Sequence, residues 1–133
     1  MVWSFVALEA ALRDCWDDET CDPTDPWDPD NPARGHCGVT SIALSELLGG
    51  VLLRADVTLR DGTSNGIHYW NRLDNGLEID LTRDQFRNGE HLGRPSVAKP
   101  VRLPTARMAT RYDLYAARVR HRLGSDVPRG IPT

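Results

Sequence analysis

No run of this sequence is apolar for long enough to cross a bilayer as a helix, and its N-terminus lacks the basic segment and apolar core of an export signal. Its cysteines number three, an odd count that argues against a secreted disulfide framework and fits a reducing compartment with free thiols. These absences predict a cytoplasmic protein with no membrane partner. A large charge excess is also missing: the formal net charge of -3 is too mild to make nucleic acid the main partner. No internal repeat is visible, so the 133 residues are expected to form one domain over 1–133, its tail loose from about residue 124.

Metal-binding patterns are wanting too. Cys15, Cys21, Cys37 and His36 are of types that suit zinc, but neither short chelating pair of a structural zinc site is present. The aspartate-rich stretch lacks the glycine and closing glutamate of an EF-hand. No metal and no cofactor is therefore expected.

What the chain does have is a strong local charge bias. Residues 14–30, DCWDDETCDPTDPWDPD, hold eight acidic side chains and no basic one, against sixteen basic and eleven acidic groups elsewhere. Repeated Asp-Pro steps from Asp22 to Pro32 forbid a helix, because proline lacks an amide donor and pushes its predecessor out of helical geometry. The result is a long loop that binds a cation, closes onto its own domain, or is simply solvated.

Around that loop the periodicities alternate. WSFVALEAALRDCW predicts a helix over 3–15, with Trp3, Val6 and Ala10, joined by Leu8 and Leu12, on the apolar stripe and Ser4 near its start. From Cys37, the residues Val39, Ile42, Ala43, Leu47 and Leu48 predict a buried helix of about three turns, stopped by Gly49-Gly50. VLLRADVTL, IHYWNRL and LEIDL read as three antiparallel strands. Met108, Tyr112, Tyr115 and Val119 then mark a last helix ending at Gly124. The expected fold class is α+β, three or more antiparallel strands packed with helices.

Three residue types of one chemistry recur in order: Cys37 at a predicted helix start, His68 in the aromatic strand GIHYW, and Asp80 in LEIDLT. A thiol nucleophile, an imidazole base and a carboxylate that fixes its tautomer make a catalytic triad. A helix start and an imidazolium both lower a thiol pKa, so Cys37 is expected to react as thiolate well below the pH of an ordinary cysteine. The amides of Cys37 and Gly38 would hold an oxyanion. Hairpin register decides whether the triad closes. A two-residue Asn-Gly turn pairs Asp74 with Leu77 and turns His68 away from Asp80. A three-residue turn with Gly76 in the left-handed position pairs Leu73 with Leu77 and Trp70 with Asp80, leaving His68 and Asp80 diagonal on one face. The three-residue turn is predicted.

Cys15-Trp16, the block WDPDNPARGHCGVTSIALSELLGG, and the segments HYWNRL, EIDLTRDQF and RYDLYAARV together resemble the YunG-like family of small bacterial proteins. The resemblance runs from the first helix to the last and implies no particular substrate. The family's block reads NPA-x-GQC; His36 stands here in place of that glutamine, so an oxyanion contact from that side chain would fall to His36. The order Cys, His, Asp also resembles papain-like and transglutaminase-like thiol enzymes, an arrangement that implies a core in which a helix-start cysteine faces histidine and aspartate on neighbouring strands.

The expected function is a thiol-dependent enzyme acting on an amide or ester carbonyl of a small-molecule or peptide substrate, by hydrolysis, deamidation or acyl transfer. Cys37, His68 and Asp80 are the catalytic candidates; His36, Gly38, Trp27 and Trp70 are the oxyanion or substrate-binding candidates. Trp27 and the acidic loop would form one cleft wall and favour a cationic substrate, and Trp70 would shield the His68–Asp80 pair. The alternative is a non-catalytic binding or accessory protein whose aromatic strand and acidic loop form a recognition surface. Sequence leaves the oligomeric state open.

Overall fold

The computed structural model describes residues 4–98 and 106–124. In chain order these form α1 (Phe5–Asp14), α2 (Cys37–Leu48), β1 (Val51–Thr58), β2 (Ser64–Arg72), β3 (Glu78–Ile79), a 3-10 turn (Arg83–Gln85), β4 (His91–Leu92), β5 (Ser96–Val97) and α3 (Ala106–Leu123). The α+β expectation holds. The strands run β3-β2-β1-β4, with β5 also pairing β1, and every pairing is antiparallel. The strands β4 and β5 had no signal, since two residues carry no readable period.

Helix α1 starts at Ser4, whose hydroxyl accepts from the Ala7 amide at 3.1 Å. Its buried stripe is Leu8, Ala11 and Leu12. Of the expected stripe, Leu8 and Leu12 are buried as read, whereas Val6 is 76% exposed and Ala10 is exposed too; Trp3 lies outside the described residues. Helix α2 is buried on several sides, with Val39, Thr40, Ala43, Leu44, Leu47 and Leu48 all enclosed. It is the central element, packed against α3 on one side and β1 and β2 on the other. Tyr115 of α3 is fully buried and donates its hydroxyl to the Leu12 carbonyl at 2.8 Å, tying α3 to α1. The expected loose tail beyond Gly124 lies outside the described residues.

Much of the acidic stretch closes onto its own domain. Arg118 of α3 binds Asp17 at 2.7 Å and Glu19 at 2.9 Å, and Arg122 binds Asp14 at 2.7 Å. Arg111 caps the loop backbone at Asp18 and Cys21, at 2.9 and 3.0 Å. Each exposed pair contributes at most about 1 kcal/mol, so their joint effect is to fix the loop's course.

The hairpin between β2 and β3 has the three-residue turn. Leu73 donates to Leu77 at 2.8 Å, Gly76 donates back to Leu73 at 2.9 Å, and Gly76 has φ of 88°. Only a residue without Cβ takes that angle cheaply, so Gly76 sets the register. Asn71 then faces Ile79 and Arg72 faces Glu78. Among the described residues no helix is long and apolar enough to cross a membrane.

Candidate active site

Because of that register, the His68 ring and the Asp80 carboxylate lie on one face and meet. His68 Nε2 is 2.7 Å from Asp80 Oδ2. A carboxylate only accepts, so Nε2 carries the proton and Nδ1 is left as the unprotonated nitrogen. The Asp80 carboxylate is steadied by Thr82, whose backbone amide donates to Oδ1 at 3.3 Å.

The Nδ1 side has a partner that sequence reasoning did not find. Gln85 Nε2 lies 3.3 Å from His68 Nδ1 and also donates to the Thr82 carbonyl at 3.1 Å. Gln85 stands at the end of the 3-10 turn, and no strand register dictates which residue of such a turn meets a ring on β2. Its one sequence signal is proximity to Asp80 in the DLTRDQF segment.

Aromatic rings pack the imidazole on two sides. Trp70 stacks on it at 5.6 Å and 18°, and Phe86 meets it edge-on at 4.8 Å. Trp70 donates its indole N–H to Glu78 at 2.8 Å and belongs to a small cluster with Leu53 and Ala55. It stacks on the His68 ring and does not line the adjoining cavity.

That cavity, about 830 Å³, brings Cys37 and Gly38 at the α2 start together with His68, Gln85, the β2 residues 64–69, and Asp22 and Asp25 of the acidic loop. The partners of the His68 ring nitrogens are Asp80 and Gln85; the Cys37 sulfur is not one of them. The sulfur instead lies near the Tyr69 backbone amide, which favours the thiolate, but desolvation outweighs it and pushes the thiol up to about 11. This corrects the expectation of a lowered thiol pKa. The half-buried sulfur on the cavity wall is desolvated by its surroundings, and the carboxylate of Asp80 adds a further upward push. At neutral pH Cys37 is therefore held as a thiol.

Helix α2 has no side-chain cap at its start, and a Cβ at Gly38 would meet no atom within 4 Å. Cys37 and Gly38, the first two residues of the helix, both line the cavity.

Two candidates are placed elsewhere. His36 is fully buried: its Nδ1 donates to the Pro32 carbonyl and its Nε2 accepts from the Thr20 hydroxyl, both at 2.8 Å, while Trp16 stacks on it at 5.3 Å. Burial lowers its pKa to about 4, and it does not line the cavity. With both nitrogens engaged, the ring has no donor to offer an oxyanion. Trp27 is half-buried and also stands off the cavity, so the acidic wall consists of Asp22 and Asp25 without the indole. Asp25 is neutralised by Arg34 at 2.5 Å, which weakens the case for a cationic substrate.

A family model described as YunG protein matches residues 4–124. A curated relative, the uncharacterized protein YunG of Bacillus subtilis (strain 168), is 30% identical over 61 residues, 46% of this chain; the match spans 47% of the relative's length. No solved structure matches.

Proposed function

This chain belongs to the YunG family, and we propose that it works as a thiol-dependent enzyme in which Cys37 attacks an amide or ester carbonyl. The observation that carries the reading is the 2.7 Å His68–Asp80 bond on the wall of the cavity that Cys37 also lines. A helix-start cysteine beside a strand carrying histidine, with aspartate just beyond the next strand, supports assignment to a papain-like or transglutaminase-like core.

Asp80 holds the Nε2–H tautomer, so Nδ1 is the base. When substrate enters, Nδ1 exchanges the Gln85 amide for the Cys37 thiol and takes its proton as the S–C bond forms. The carbonyl oxygen gathers negative charge against the amides of Cys37 and Gly38. Collapse expels an amine or alcohol, which leaves with the proton from Nδ1, and a thioester remains on Cys37. Water resolves it by hydrolysis or deamidation, and an amine by acyl transfer. A thiol raised to about 11 is compatible with this order, since deprotonation is coupled to attack rather than completed beforehand. A reducing, cytoplasmic setting suits the chemistry, because Cys15, Cys21 and Cys37 are all free thiols.

The raised thiol also favours a second reading, in which Cys37 is a packed apolar residue and the protein binds a partner without chemistry. Intact-mass analysis after exposure to p-nitrophenyl acetate near neutral pH separates the two. The enzyme reading expects an acetyl adduct on Cys37 that vanishes in Cys37→Ala and falls steeply in His68→Gln, which can still donate to Asp80 but is no base. Unmodified Cys37 in the native protein overturns it.

A further inference from the structure

We infer that the substrate is an extended polypeptide that adds to the open edge of β2, with an apolar side chain seated on Leu59 and Ile67. This rests on the thiol-enzyme reading and names its substrate class.

The strand ladder supplies the argument. In an antiparallel pair, successive residues send their peptide groups alternately toward and away from the partner strand. The Asp56 carbonyl accepts from Gly93 at 2.8 Å and the Leu52 carbonyl from Ala98 at 2.9 Å, so both residues of β1 point away from β2. Their partners across the ladder, Ile67 and Asn71, must then point away from β1. The Leu73–Leu77 bond, on the β3 side, has the same parity. Along this outer edge Asn71 is opposite Ile79 and the Tyr69 amide faces the Cys37 sulfur. Next comes Ile67. Among the described residues β3 extends only over Glu78–Ile79, and no strand pairs with this side of Ile67.

The N–H and C=O of Ile67 are thus a matched donor and acceptor beside the cavity, two residues from the amide that faces the nucleophile. Strand rise makes that separation about 7 Å, the repeat of an extended peptide. A chain paired at Ile67 continues the β2–β3 ladder and delivers a backbone carbonyl toward Cys37, which is recognition by strand addition. Two further features fit. Leu59 and Ile67 are 37% and 38% exposed and both line the cavity, an apolar seat. The register slips between Asp56–Ile67 and Thr58–Ser64, with Gly66 at φ of 84° and no atom within 4 Å of a Cβ there. Such a bulge bends the strand end. A small acyl compound would use the helix start and leave the Ile67 pair idle.

The test compares three alkylating probes on the native protein: a leucine-containing tripeptide chloromethyl ketone, the same peptide with methylated backbone nitrogens, and chloroacetone. Cys37 alkylation is followed by intact mass and the Ile67 amide by hydrogen exchange. The tripeptide should react at least about tenfold faster than chloroacetone, lose most of that gain on N-methylation, and slow exchange at Ile67, which should be fast in the free protein. Equal rates for the tripeptide and chloroacetone, both reduced in His68→Gln, overturn the polypeptide inference while the thiol reading stands. A chloroacetone rate unchanged in His68→Gln overturns the thiol reading itself. Slow exchange at Ile67 without peptide, or protection that grows with protein concentration, also overturns the inference, because the edge is then already covered or pairs with a second copy.

Discussion

Two histidines, His36 and His68, are sealed from solvent, at 0% and 1% exposure, and each stacks on a tryptophan. Their partners separate them. The ring of His36 is held by a carbonyl and a hydroxyl, neutral groups that satisfy it without compensating a positive charge, and burial drives its pKa to about 4. The ring of His68 is held by a carboxylate at Nε2 and adjoins a cavity on which a cysteine also opens. One imidazole is a neutral strut between the Asp-Pro loop and the helix start; the other has the partner a proton acceptor needs when it becomes charged. Burial alone therefore does not separate the two rings, and the charge of the group that orients each one does.

Substitutions at the two sites should therefore fail in different ways. His68→Gln is expected to slow acylation of Cys37 by about a hundredfold to ten-thousandfold, the usual worth of a general base, with the fold retained by circular dichroism. Asp80→Asn, which keeps shape but removes the charge, should slow it by about a hundredfold or more. The contrast is lost if either variant acylates at the native rate. His36→Ala should instead cost about 2–4 kcal/mol of stability in urea unfolding, from the lost packing and two buried hydrogen bonds, while acylation per folded molecule stays within about threefold of native.

Acid sharpens the same comparison. His36 binds a proton near 6.5 when unfolded and only near 4 when folded, so its stabilising contribution is complete above 6.5 and is lost as pH falls through about 4. The loss over that window is about 3 kcal/mol, read from urea midpoints, and His36→Gln should remove that part of the acid sensitivity. The smallest effect belongs to the helix start. Gly38→Ala meets no atom within 4 Å and should raise stability by up to about 1 kcal/mol, while slowing acylation if a carbonyl approaches there.

The hairpin and the central helix were legible in the sequence because their determinants are local: one glycine after Asp74-Asn75 sets the register, and a periodic apolar run ended by two glycines sets α2. The His68–Asp80 contact followed from that register. What escaped depends on tertiary burial. Gln85 reaches His68 from a 3-10 turn with no period to read, His36 is engulfed by a loop whose course Arg111 and Arg118 of α3 fix, and the Cys37 thiol is raised by packing that no spacing reveals. The apolar stripe of α1 was legible at Leu8 and Leu12 but missed Ala11, because Val6 and Ala10 fit a helical period as well.

The most direct test is the pH dependence of Cys37 acylation by p-nitrophenyl acetate in the native protein and in His68→Gln. With His68 as the base, the native protein is acylated well below the pH at which the variant reacts, because the variant's rate rises only as the solution approaches the thiol's own value of about 11. Superimposable profiles would contradict the account and leave Cys37 a packed thiol.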